Sequence, residues 1–334
     1  MPIGAYAGLD LTAARVRDVV TNPDAQVAAV LAMRERLGTP FLLTAMDLSA
    51  EAEAFGASVR LTDHEIPAIV GRLVRSAPEA AALPTPSAGD GRTAVHLAAA
   101  RRLVVASRAG AGAGAGAEAP VIGGMIGPFS LAARLFGVAE ALEATLAEPT
   151  TIHAILVRVT PFLIHYARAF RSLGAAGVIV AEPAAGLLSP RGLAAFSTPY
   201  VRRIVDAVQD DDFSVVLHNC GAKLVHLERI LECGAAAYHF GAPMDVPAAV
   251  AAASAVAAAG AGPSGGDGRP VICGNVDPTF IHSASPDTVH EAAVALLSQV
   301  AAAGGHFVLS SGCDLPPGTP LDNVAALCRA GGAI

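Results

Sequence analysis

The sequence predicts an α/β protein, a single (β/α)8 TIM barrel over residues 1–334, on three observations. Short β-branched runs alternate with longer Ala/Leu-rich segments from about residue 177 onward. Eight strand-like runs are present along the chain, and their C-terminal ends are rich in polar side chains. Such alternation marks βα units that feed a parallel sheet. Eight runs suit a closed barrel better than an open sheet, and the strand ends of such a barrel are where its working site is built. The length agrees, because α/β barrels of this size commonly form one unit.

The first candidate strands are IGAYAG (3–8), PFLLTAMD (40–47) and VIGGMIGPF (121–129). The later ones are GVIVAEP (177–183), SVVLHNC (214–220), AAAYHFG (235–241), PVICGNVDP (270–278) and HFVLSSGCD (306–314). Helix starts are read at Ser189-Pro190, Ser285-Pro286 and Thr319-Pro320, where a hydroxyl caps the first turn and a proline follows whose missing N–H costs nothing. Gly174 and Gly304-Gly305 supply stops. Ile152, Ile155, Leu156, Val159, Leu163 and Tyr166 recur at helical spacing, but Pro161 is expected to kink or split that helix near Thr160. The Gly-rich stretches at 109–118 and 260–270 read as flexible surface loops. Neither ends in the Lys-Ser/Thr of a phosphate loop.

Composition excludes several function classes. Just over half of the residues are apolar, yet the apolar runs are broken by charges, Gly or Pro before they reach membrane-spanning length. The net charge of −7 comes without any Lys/Arg cluster, so nothing offers a footprint to a phosphate backbone. Trp is absent and Tyr scarce, which removes the platforms that stack unpaired bases. No nucleic acid and no membrane are therefore expected as partners. The opening residues lack the basic and apolar stretches of a signal peptide, and five scattered cysteines suit a reducing compartment, so a cytoplasmic location is expected.

His218 and Cys220 stand two apart on one predicted strand, and the period of two turns both to one face. Cys313 ends another strand, distant in sequence but near in a closed barrel. One imidazole and two thiolates form a zinc set by ligand softness, and three protein ligands leave a position open for a substrate. Such a site suits an incoming thiol, whose free pKa of about 8.5 would otherwise keep it protonated at neutral pH. The bland reading of the same residues is a hydrogen-bonded core His and small apolar Cys side chains. Cys273, Cys233 and Cys328 are read as packing residues.

Several blocks resemble the uroporphyrinogen decarboxylase superfamily, in particular its cobalamin-dependent branch, typified by methylcobamide:coenzyme M methyltransferases. They are AMDLSAEAEAFGA (45–57), GPFSLAARLFG (127–137), GVIVAEPAAGLLSPRGL (177–193), HNCG (218–221), GNVDP (274–278) and LSSGCDLPPGTPLDNV (309–324). The resemblance covers nearly the whole chain. Most blocks mark the superfamily at large, whereas His-x-Cys with a downstream Gly-Cys-Asp marks the methyltransferase branch. It implies Zn2+ on His218, Cys220 and Cys313, and transfer of a methyl group from methylcobamide on a partner corrinoid protein to a small thiol. The thiolate would attack the methyl carbon while cobalt leaves as Co(I).

Two departures from the family pattern matter. The position where coenzyme M enzymes carry a further Glu is Gly241 here, and YHFG also differs from that branch, so the identity of the thiol stays open. The Arg-rich amino-terminal segment of true uroporphyrinogen decarboxylases has no counterpart, since no Arg precedes Arg15. Metal-independent tetrapyrrole decarboxylation is the alternative enzyme reading, and a non-catalytic zinc or corrinoid-binding scaffold is the alternative outside catalysis.

The remaining strand-end residues Asp47, Glu182, His239, Asn275 and Asp277 are candidate substrate contacts, with His239 also placed to stand behind the metal and the carboxylates also placed to cap loops. Asp314, next to Cys313, is a candidate to support the ligands from outside. Glu51 and Glu53 are read as solvated or as complementing a helix dipole, and His96 is given no role.

Overall fold

The computed structural model describes residues 2–112, 118–258 and 270–332. Its strands, in chain order, are β1 (Leu42–Leu43), β2 (Ser58–Arg60), β3 (Ala68–Val70), β4 (Val121–Ile126), β5 (Gly177–Ala181), β6 (Ser214–Asn219), β7 (Ala237–Phe240), β8 (Val271–Val276) and β9 (Phe307–Ser311). β2 and β3 form a small antiparallel hairpin. The others make a seven-stranded parallel sheet in the order β1-β4-β5-β6-β7-β8-β9, curled like a barrel. Long helices, among them Thr93–Gly112, Pro149–Ser172, Thr198–Val208 and Pro286–Ala303, connect successive strands.

The expected first strand is not one. Ala5–Gly8 winds into a 3-10 turn, and only Ile3 pairs, as an isolated parallel bridge to Asp314. The Ile3 N–H donates to Ser311 Oγ at 3.0 Å, and the Leu315 N–H donates to the Ile3 carbonyl at 2.8 Å. Ile3 also packs with Phe41 and Leu43 of the β1 region, so one residue stands in the gap between the last strand and the first. The turn that follows is forced close to its neighbours: a Cβ on Gly8 would lie 2.4 Å from the Ala29 carbonyl oxygen.

Strand alternation decides what faces the barrel axis. Val178 and Val180 of β5, Val215 and Leu217 of β6, and Tyr238 and Phe240 of β7 join the large core that packs against the helices. Their neighbours Ile179 and Ala181 join the separate interior cluster. By the same period His218 on β6 and His239 on β7 turn inward, and the two are register partners across the β6–β7 ladder.

Helix ends follow the sequence signals in part. The Ser189 and Ser285 hydroxyls accept from the N–H of Gly192 and of Thr288, and Gly174 and Gly304 take positive φ where their helices stop. Thr319 does not cap; its hydroxyl donates to the Pro316 carbonyl at 2.7 Å, and Pro320 occupies the cap position.

Pro161 does not split its helix either, which runs unbroken over Pro149–Ser172. The carbonyl left without a donor belongs to Val157, on the exposed side of the helix at 54%, while the opposite stripe from Ile152 to Tyr166 is fully buried and keeps the helix packed on the core. The helix Thr93–Gly112 runs into the first expected surface loop; the remainder of that loop through 117, and residues 259–269 of the second, lie outside the described residues. Among the described residues no helix is long and apolar enough to cross a membrane.

Candidate functional site

β6 turns His218 inward, and two residues later the chain presents Cys220 on the same face at the carboxyl end of the sheet. The loop after β9 brings in Cys313. One nitrogen or sulfur atom from each of the three lies within 4.8 Å of the others, and His218 Nε2 stands 3.6 Å from Cys313 Sγ. His218 is buried, while the two cysteines are partly open. A hydrogen bond from Cys313 holds the Cys220 thiol down to about 7, and the same bond together with burial pushes Cys313 up to about 12. The pair therefore gives up one proton readily, with the second thiol stabilising the first thiolate. Soft sulfur and imidazole at this spacing, with thiolate already favoured, fit a zinc ion.

His239 is fully buried behind His218. Its Nδ1 meets His218 Nδ1 at 2.8 Å, and its Nε2 meets Ser310 Oγ at 2.8 Å. Burial, and then the neighbouring His218, push its pKa well below the usual imidazole value, so it stays neutral. If His218 Nε2 offers a lone pair toward the sulfurs, His218 Nδ1 carries the proton and donates to His239. His239 then donates from Nε2 to Ser310, which fixes both tautomers along one line.

Gly241 leaves no room for a side chain beside Cys220. A Cβ built there would lie 2.2 Å from the Cys220 carbonyl oxygen, because the backbone after Cys220 passes against this residue. No side chain fits at that position without displacing Cys220. With His239 turned to His218 and Ser310, the β7 end adds no further donor, and the set stays at three among the described residues.

The other strand-end residues are largely engaged by the protein. Asp47 is buried; its Oδ1 accepts from the Ser49 N–H and hydroxyl at 3.0 and 2.6 Å, and its Oδ2 pairs with Arg92. Glu182 is buried at the N-terminus of the helix Pro128–Phe136, accepting from the Phe129 and Ser130 N–H groups at 2.9 and 2.8 Å and from the Ser130 hydroxyl at 2.7 Å. Burial outweighs these bonds and raises its pKa to about 7. Asn275 donates from Nδ2 to the carbonyls of Gly241 and Met244 at 3.0 and 2.7 Å. Asp277 is exposed and accepts from Thr279 N–H at 2.7 Å, capping the helix Pro278–Ser283. Asp314 bridges to Ile3, and its Oδ1 is buried without a partner among the described residues.

Sequence reasoning missed the group around Asp47. Glu51 is not solvated but buried, with Oε1 accepting from the Ile126 N–H at 2.9 Å, Oε2 unpartnered among the described residues, and its pKa raised by burial to about 8. His96, also buried, has Nδ1 3.2 Å from Gln26 Nε2 and Nε2 4.0 Å from Asp47 Oδ2; burial lowers its pKa to about 4. The only sequence signal was the apolar company these groups keep in their segments.

The profile of the family described as uroporphyrinogen decarboxylase (URO-D) matches residues 6–333. The chain belongs to that family. Among its relatives, the methylcobamide:CoM methyltransferase MtbA of Methanosarcina acetivorans is 28% identical over 309 residues, covering 91% of this chain and 83% of that protein. The methylcobamide:CoM methyltransferase MtaA of Methanosarcina barkeri is 26% identical over 314 residues, 93% of this chain and 84% of that protein. A uroporphyrinogen decarboxylase of Vibrio campbellii is 27% identical over 225 residues, 64% of this chain and 59% of that protein. Among solved structures, a methyltransferase from Methanosarcina mazei superposes with a TM-score of 0.81 at 24% identity, covering 99% of this chain and 91% of that one, and so shares the fold. The URO-D family assignment agrees with the parallel, barrel-like architecture described above.

Proposed function

We propose that this URO-D family member is a methyltransferase that moves a methyl group from methylcobamide, carried by a corrinoid protein, to a small thiol, and that the chain works as one barrel domain. In this reading His218, Cys220 and Cys313 hold a zinc ion. The observation that carries it is the convergence of one imidazole and two sulfurs at the carboxyl end of the sheet, with Gly241 and His239 adding no fourth donor. The relatives named as methylcobamide:CoM methyltransferases, each matched over more than four-fifths of its length, support the same reaction class.

Zinc on such a donor set supplies acidity to an incoming thiol, favouring its deprotonated form at neutral pH. The protein's own work is to orient and to exclude. His239 and Ser310 fix the His218 ring, and the Cys220–Cys313 pair is poised to lose one proton. The buried Glu182 holds the N-terminus of the helix Pro128–Phe136, and the buried Asp47 holds the loop at Ser49. In the transfer the thiolate lone pair forms the new S–C bond while the Co–C bond breaks, both of its electrons staying with cobalt.

The test is transfer from free methylcobalamin to a panel of small thiols, followed by loss of the methylcobalamin absorbance. Activity removed by a chelator and restored by zinc is the expected result; no transfer to any thiol by zinc-loaded protein overturns the reading. Uroporphyrinogen turnover insensitive to the chelator would support the decarboxylase alternative instead.

A further inference from the structure

Cys313 stands two residues beyond Ser311, the last rung of the β8–β9 ladder, so strand pairing alone does not place it. The loop that carries it is gripped on two sides. Toward β8, the Gly312 N–H donates to the Val276 carbonyl at 2.6 Å, and a Cβ on Gly312 would lie 3.0 Å from the Ala242 nitrogen, so the loop lies hard against its neighbours there. On its other flank β9 meets no strand among the described residues. Ile3 stands in for one. Its N–H donates to Ser311 Oγ at 3.0 Å, its carbonyl accepts from the Leu315 N–H at 2.8 Å, and it bridges in parallel to Asp314 between them.

The two bonds straddle the ligand. One ties the chain two residues before Cys313 and the other two residues after it, to the same residue. Both ties end in packed groups: Ile3, Ser311 and Leu315 are buried, Ile3 against Phe41, Leu43 and Ile179, and Leu315 in the separate cluster with Val276 and Leu309. Cys313 itself is partly open and has less packing to fix it. A metal site needs its ligands within about 0.5 Å of the working geometry, which requires support behind each one. His218 has that support in His239 and Ser310, and Cys220 follows His218 directly out of β6. For Cys313 the support on the open flank of β9 is Ile3.

We infer that Ile3 is a positioning residue for the metal site: through Ser311 and Leu315 its main chain sets where Cys313 meets His218 and Cys220. This rests on the zinc assignment proposed above and extends it to a residue outside the ligand set, 310 positions before Cys313 in the chain. The dependence runs through the main-chain N–H and carbonyl of residue 3, with the isoleucine side chain serving to seat them in the interior cluster.

The test uses the whole chain loaded with Co2+ in place of zinc, because sulfur-to-cobalt charge-transfer absorbance per bound ion counts the thiolates on the metal. Wild-type protein sets the two-sulfur level and Cys313→Ala the one-sulfur level. Ser311→Ala removes the acceptor of the Ile3 N–H, and Ile3→Pro removes the donor. Each is expected to lower the absorbance per cobalt toward the Cys313→Ala level and to weaken zinc binding about 10-fold or more. Ser311→Thr, which keeps the hydroxyl, is expected to stay near the wild type. Ile155→Ala, a truncation in the buried stripe of the helix Pro149–Ser172, is expected to lower Tm while leaving absorbance and affinity as they were. Full two-sulfur absorbance with unchanged affinity in both Ser311→Ala and Ile3→Pro overturns the inference and leaves the zinc assignment standing. An equal loss in Ile155→Ala also overturns it, since the effect is then one of general stability. If Ile3→Pro does not fold, the contrast between Ser311→Ala and Ser311→Thr decides.

Should the wild type bind neither zinc nor cobalt, the zinc assignment has failed, and positioning is judged on the metal-free thiols by capture with phenylarsine oxide, which bridges two thiols held close together. Peptide mapping by mass spectrometry is then expected to find the bridge between Cys220 and Cys313 in the wild type and several-fold less of it in Ser311→Ala. Equal capture by the two proteins, or none by the wild type, overturns the inference.

Discussion

His218 and His239 face each other through their Nδ1 atoms at 2.8 Å, so one of the two rings must carry the shared proton. The inward period of β6 and β7 makes this contact, and the Ser310 hydroxyl anchors its far end.

From this follows a dependence of metal affinity on a residue that does not touch the metal. His239→Leu is expected to lower zinc affinity about 10–100-fold, with Ser310→Ala having a smaller effect, both read by competition with a chromophoric chelator. Affinity unchanged in His239→Leu would remove its orienting role.

Zinc content is expected to be about one ion per chain and to fall well below that in Cys220→Ala, Cys313→Ala and His218→Ala, measured by atomic emission on purified protein. Wild-type protein that takes up no zinc even on reconstitution would end the metal assignment.

Gly241→Ala puts a carbon 2.2 Å from the Cys220 carbonyl oxygen and must move backbone rather than a flexible side chain. A loss of about 1–3 kcal/mol in stability is expected from denaturant unfolding, together with weaker zinc binding because Cys220 shifts. Gly241→Glu, which would add a carboxylate beside Cys220, is expected to do worse, not better.

Glu51 and Glu182 make stability depend on pH. Their folded-state pKa values, about 8 and about 7, lie above the ordinary 4.5, so between those limits the folded chain binds more protons than the unfolded one. Stability from these groups is full below about pH 4.5 and is lost as pH rises through 7 and 8. Glu51→Gln is therefore expected to flatten the fall in Tm between pH 5 and 8 and to raise Tm at the alkaline end; an unaltered slope would show that Glu51 titrates normally.

Residues 177–311 were legible because most strands there carry β-branched residues and are bounded by turn residues, and the period of two alone turned His218 and Cys220 to one face. The start of the chain was not. IGAYAG has the apolar content of a strand, but the close pass of Gly8 against Ala29 winds it into a turn, and only tertiary contacts encode that. Pro161 misled for the opposite reason: the rule that proline breaks a helix assumes a buried carbonyl, and Val157 is open to solvent. Glu51 was read as solvated and His96 given no role because single charges in helical segments read as surface, and nothing local tells that the fold buries both. Asp277, conversely, stood at a strand end yet serves a helix.

The bridge from Ile3 to Asp314 and Ser311 joins residues far apart in the chain, 308 positions for its hydrogen bond to Ser311. During synthesis the segment around Ile3 emerges long before β9 and must wait for it before its pairing groups are satisfied, leaving the flanks of β1 and β9 open in the meantime. Seams of such long range form late and slowly, and unpaired strand flanks invite intermolecular pairing. The seam is thus closed only once β9 is in place, and until then the flanks of β1 and β9 are where this chain most needs protection from its own kind.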